Sequence, residues 1–170
     1  QAQETQENQE EALANLDKAI DDLKQQEAQA SREQQQQDLF RLAEELKKVL
    51  EGQQKVHGVS AELEKLDREK KPFGRPEAIK LTRAAVDQRS LAGQVSGALL
   101  KLEEEGAEVF SWALRGVQED MVLVASRLEK GKPDAAILLV QADIEGKLEA
   151  LIEALKEEAK KPGPPKEGGG

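Results

Sequence analysis

The chain has no cysteine and no tyrosine, and only one tryptophan, one methionine, one histidine and three phenylalanines among its 170 residues. Each scarcity removes a class of chemistry. Without cysteine there are no disulfides and no thiolate metal ligands. A single histidine, His57, leaves out the paired Glu-x-x-His ligands of carboxylate-bridged di-metal bundles. No His-Glu-x-x-His motif, calcium-loop pattern, phosphate-cradling glycine loop or nucleophile elbow occurs. No apolar run approaches the roughly 20 residues that span a bilayer. The expectation is a protein that is not an enzyme, with no catalytic residues, no cofactor and no metal.

What remains is helical material. Glu, Lys, Gln, Ala and Leu dominate, all of which lose little rotamer freedom in a helix, and strand formers are few. Such composition belongs to coiled coils and long helical bundles, so the fold class is all-α. With 25 basic and 34 acidic residues the formal charge is −9, which makes nucleic acid and anionic membrane surfaces poor partners by repulsion.

Proline and glycine punctuate the chain. Nothing before Gly52 stops a helix. EKKPFGRPEA carries Pro72, Gly74 and Pro76, which no continuous helix tolerates. EKGKPDAA carries Gly131 as a C-terminal stop and Pro133 in place for the next first turn. Gly106 in EEEGAE is a softer break. The expected helices cover about 5–71, 76–104, 107–130 and 133–160, followed by a disordered tail from 161 to 170. Apolar steps alternate between three and four residues. They run through Leu39, Leu42, Leu46, Val49, Gln53, Val56, Ser60 and Leu63. The next helix follows with Leu81, Ala85, Gln88, Ala92, Val95, Leu99 and Leu102. Phe110, Leu114, Val117, Met121, Val124 and Leu128 continue the pattern, and Ile137, Gln141, Ile144, Leu148, Leu151 and Leu155 complete it. This is the seam of helices crossing at small angles, and short turns make neighbours antiparallel. Residues 38–160 therefore form an up-down four-helix bundle, its first helix covering about 38–71.

The first helix is too long for that bundle. Leu13, Leu16, Ile20 and Leu23 repeat in a different heptad phase, and a helix over 5–71 is about 100 Å long at 1.5 Å per residue. Residues 1–37 are expected to project as an arm. Two heptads alone are marginal in water, so the stripe is a candidate surface for self-association or a protein partner.

Polar residues inside the seams carry a second expectation. Counting from the turns places Gln88 and Gln141 level with Ser60, near His57, in one buried polar layer, with Gln53 about two turns away. Buried amides must be paired, and such a layer fixes helix register; a small polar ligand pocket is the sharper alternative. His57 itself reads as a rim histidine, and Glu103, Glu104 and Glu105 as a solvated helix end. On the third helix Trp112 lies about 200° from Phe110, off the seam. With Gly116, Glu119 and Leu123 it forms a flank stripe. Either the indole folds over a neighbouring helix or the stripe, with Trp112, Gly116 and Leu123, is a partner groove.

Residues 89–160 resemble a domain in uncharacterised exported Gln/Glu-rich helical (coiled-coil) proteins of Gram-negative-type bacteria. The resemblance rests on RSLAGQV leading into LKLEEEG, then Asp120, Met121, Val124, Ala125 and Leu128, then QADIEGKLEALIEALK. VFSWAL and KGKPDAA depart from the family pattern. The resemblance implies an envelope-associated scaffold. Its alternative is a soluble periplasmic accessory subunit of a proton-channel energy-transducing complex. The opening QAQETQEN fits a mature terminus after signal removal. A periplasmic or otherwise exported location is the expectation, with the cytoplasm as alternative; a small-ligand-binding bundle ranks last.

Overall fold

The helix formers dictate the backbone. In a computed structural model that describes residues 1–161, the chain forms α1 (Ala2–Arg68), α2 (Arg75–Glu104), α3 (Glu108–Lys130) and α4 (Ala135–Lys160). Each helix packs on the next, and α4 returns to α1; α1 with α4 and α2 with α3 make the most extensive contacts, α3 with α4 the fewest. The result is an antiparallel four-helix bundle. The tail expected over 161–170 falls, from residue 162 onward, outside the described residues.

The seams supply the core. All eight seam positions of α1 from Leu39 to Leu63 are buried, as are all six of α4 from Ile137 to Leu155. On α2 and α3 the seam is slightly rotated: Leu81, Leu99 and Phe110 sit half-buried at its rim, while Ala84, Leu91, Ala98 and Ala125 join the interior. Gly52 lets α1 and α2 approach, because a Cβ there would lie 2.8 Å from Leu91 Cδ2.

Helix ends explain the connections. α1 stops at Arg68, three residues short of the expected 71, because Pro72 pushes the residue before it out of helical geometry. The Lys70 N–H donates to the Asp67 carbonyl, the Lys71 N–H to that of Leu66, and Lys70 takes a left-handed φ of 54°. This is a Schellman closure with lysine where glycine is usual. Gly106, at φ 71°, closes α2 the same way through Gly106 to Glu103 and Ala107 to Leu102. Gly131 differs from expectation. Its φ of 170° is extended backbone, so α3 ends without a left-handed glycine. Glu77 accepts from the Gly74 N–H at 3.0 Å at the start of α2, and Asp134 caps α4 by accepting from the Ile137 N–H at 2.9 Å. Lys132 joins the two loops at this end, 3.3 Å from Asp67 and 4.6 Å from the Phe73 ring centroid.

α1 has 67 residues against 30, 23 and 26 for its partners. It is therefore about 100 Å long and overhangs the bundle. Residues 1–27 are exposed throughout, and the first buried side chain is Leu39. Gln36 marks where the overhang meets the bundle end, its amide donating to the Lys161 carbonyl at 2.7 Å.

Candidate interaction surface

The buried polar residues resolve into two pairs. Gln53 and Gln88 exchange amide hydrogen bonds, Gln53 Nε2 donating to Gln88 Oε1 at 2.9 Å and Gln88 Nε2 to Gln53 Oε1 at 2.6 Å. Gln141 Nε2 donates to Ser60 Oγ at 3.0 Å, and the Gln141 Oε1 is buried without a hydrogen-bond partner. Ser60, Gln88 and Gln141 are thus buried, as expected, but they are not one layer. Gln88 meets Gln53, seven residues or about 10 Å along α1 from Ser60. The early stop of α1 at Arg68 moves the α1–α2 register in this direction and supplies part of that seven-residue shift, which counting through to 71 misses. Between the pairs His57 Nδ1 lies 2.9 Å from Glu145 Oε2 and 3.0 Å from its Oε1, at the bundle rim. The glutamines and Ser60 direct their bonds at each other, which fits a register device better than a ligand pocket.

The α3–α4 edge is different. α3 and α4 are the loosest neighbours, and a groove of about 590 Å³ opens between them. Val109, Trp112 and Gly116 form its α3 wall, Ala150, Leu151 and Ala154 its α4 wall. Its lining is mostly apolar. Trp112 is 76 % exposed and Val109 79 %, so the indole does not fold over a neighbouring helix. A Cβ at Gly116 would meet nothing within 4 Å. Leu123, also half-exposed, is not part of the groove lining. The structure therefore brings Trp112 and Gly116 together and leaves Leu123 apart.

Three charged side chains, Arg115, Lys147 and Glu119, border the groove. Arg115 reaches Glu103 at 2.8 Å. Lys147 is 2.8 Å from Asp143 and 3.4 Å from Asp120. The hydrogen bond that the Lys147 ammonium donates to Asp143, opposed by desolvation and helped by the one to Asp120, holds it above its usual range.

The other exposed apolar surface is on α1. Leu13, Leu16, Ile20 and Leu23 are 61, 56, 41 and 58 % exposed, in one row on a stretch of helix that packs on no other helix among the described residues. Among the described residues, no group of three acidic, histidine or cysteine side chains is arranged to hold a metal ion, and no helix is long and apolar enough to cross a membrane.

Sequence reasoning missed the α4 wall. Its readable signal is the four-residue spacing of Ala150 and Ala154, small side chains on one outward face of a helix whose other face is the core. Compared with known proteins, the chain matches no family model, no curated protein and no solved structure.

Proposed function

We propose that the protein is a non-enzymatic structural and interaction module, an envelope-associated coiled-coil scaffold whose bundle is a rigid base and whose arm is the docking element. One observation carries the reading. Four large aliphatic side chains at heptad spacing stand exposed on an unbroken helix that leaves the bundle. An isolated amphipathic helix of that length gains its stability from a partner's apolar face rather than from propensity. Large exposed apolar patches on proteins mark such contacts. The bundle supports the role mechanically: continuous heptad seams and two buried polar pairs, one amide–amide and one amide–hydroxyl, specify a single register, and a fixed register gives the arm a fixed direction. The envelope location in this reading is supported by the resemblance of residues 89–160.

The test is the size of the complex in extracts of the cells that make the protein. The full chain should elute well above monomer mass, and a chain carrying Leu16→Glu and Ile20→Glu should elute as a monomer with unchanged thermal melting. Equal elution of the two overturns the reading.

A further inference from the structure

The arm differs from the bundle in charge as well as in burial. Residues 1–27 hold eight acidic and two basic side chains, a net charge of −6, which leaves −3 of the total −9 for residues 28–170. The bundle ties its charges together across helix pairs, as Lys101 of α2 does with Glu45 of α1, and Arg89 of α2 with Glu129 of α3. None of the eight arm carboxylates, from Glu4 to Glu27, is in an ion pair among the described residues.

These charges stand beside the apolar stripe. With Leu13 and Ile20 as heptad positions a, and Leu16 and Leu23 as d, Glu10, Asp17 and Lys24 occupy the e positions and Ala12 and Ala19 the g positions. Residues at e and g meet the flanks of a paired helix and set the choice of partner. One flank of the stripe thus presents two carboxylates a heptad apart. The other is alanine, small enough for a large side chain to lie across it. Glu27 takes the next a position itself and carries the negative charge into the seam.

A second copy of the chain offers no matching surface. Arm against arm sets −6 beside −6, and like-charged surfaces repel. The α3–α4 groove is acidic too: Arg115 is held by Glu103, Lys147 by Asp120 and Asp143, and Glu119 stands beside them. The α1–α2 groove sets Lys55, Lys80 and Arg83 against Glu62 and Asp87. Its apolar residues Val56, Ala84 and Leu91 are already buried, so the stripe would find little there to cover.

Resting on the reading of the arm as docking element, we infer that the arm receives a basic amphipathic helix of a different protein. That helix carries aliphatic residues at its own a and d positions and Lys or Arg along the flank that meets Glu10 and Asp17. Opposite charge steers the encounter and selects this partner over a second copy, while the apolar seam holds the pair together.

Two synthetic heptad peptides probe the purified full-length chain. Both have isoleucine at a and leucine at d; one has lysine at every e and g position, the other glutamate. Fluorescence anisotropy should show the lysine peptide binding about tenfold or more tightly than the glutamate peptide, a preference that shrinks as salt rises. Ile20→Glu should abolish binding of the lysine peptide through the seam. Glu10→Lys combined with Asp17→Lys should weaken the lysine peptide about tenfold or more and strengthen the glutamate peptide. Neither variant should lower the melting temperature of the bundle, since all three sites are exposed on the arm. Light scattering of the parent alone should give a monomer across a concentration series. Equal binding of the two peptides, a lysine peptide indifferent to the charge reversal, or an arm-dependent dimer of the purified parent overturns the inference. In each of those cases the docking role of the arm still stands if Leu16→Glu with Ile20→Glu dissociates the complex in cell extracts, and falls with the inference if it does not.

Discussion

α1 passes through two environments without a break, and its two halves carry the same kind of pattern. Between Leu39 and Leu63 the three–four spacing of apolar positions ends in complete burial. Between Leu13 and Leu23 the same spacing ends in side chains 41 to 61 % exposed. The halves differ in heptad phase, but the helical backbone runs through both without a break. What differs is the supply of partners: α2 and α4 run alongside the second half, and among the described residues no element runs alongside the first. A heptad stripe is thus a statement about what a helix can bury, and the rest of the fold decides whether it does.

The largest effects should separate the halves outright. Leu148 is fully buried in the core, and Leu148→Ala should destabilise the bundle by about 2–5 kcal/mol through lost burial and a residual cavity. Leu16→Ala should leave the monomer within about 0.5 kcal/mol of the parent. Chemical denaturation at low protein concentration measures both, and equal losses would show that the arm packs back on the bundle.

The buried amide pair comes next. Gln88→Ala leaves the Gln53 amide buried and unanswered, at a cost of about 1–3 kcal/mol. Replacing both by leucine removes both polar groups, so the double variant should lose less than the sum of the single leucine variants; a double-mutant cycle reads the difference. A Gln34→Ala change at the base of the arm, where the amide reaches only Asp38 one turn along at 2.9 Å, should be near neutral. Strict additivity at positions 53 and 88 would remove the pair's role in fixing the register.

Much of this was legible in the sequence. Composition gives the all-α class, proline and glycine give three breaks, and the seams of α1 and α4 can be read residue by residue because both helices are bounded by strong apolar runs. The α2 seam is harder. Alanine fills Ala84, Ala85, Ala92 and Ala98, and so small a residue marks a face weakly, which is why Leu81 and Leu99 read as core but sit at the rim. Register failed for a local reason. The left-handed turn at Lys70 is invisible in a residue type that rarely adopts it, and it supplies part of the shift that takes Gln88 from Ser60 to Gln53. The groove was half legible: Trp112 and Gly116 stand out by type, whereas the α4 wall is built of alanines that any helix contains.

Trp112 sharpens the comparison at smaller scale, as the bundle's own equivalent of the arm stripe. At 76 % exposure it contributes little to the isolated fold, and Trp112→Ala should shift monomer stability by less than about 0.5 kcal/mol while weakening association. A large loss of monomer stability would place the indole in the bundle's packing and not at an interface.

The smallest expected effect concerns charge across the helices, which the bundle has and the arm lacks a neighbour to provide. Arg89 Nε lies 2.7 Å from Glu129 Oε1, and that hydrogen bond, with the attraction of Arg89, holds the Glu129 carboxyl below its ordinary value of 4.5. A carboxyl depressed in the folded state contributes stability that is present above its unfolded pKa and is lost as pH falls through the folded one. The pair stands in water at the surface, so solvent and salt keep the contribution small. Arg89→Gln should therefore melt slightly below the parent at pH 7 in low salt. The gap should close as pH falls below 4.5, and molar salt should close it at pH 7 as well. Lys24→Gln in the arm sets the baseline, because no second helix stands beside Lys24 for it to bridge. A gap of the same size and pH dependence at Lys24 would mean that both variants report the net charge of the whole chain, and the contrast between bundle and arm would not extend to electrostatics.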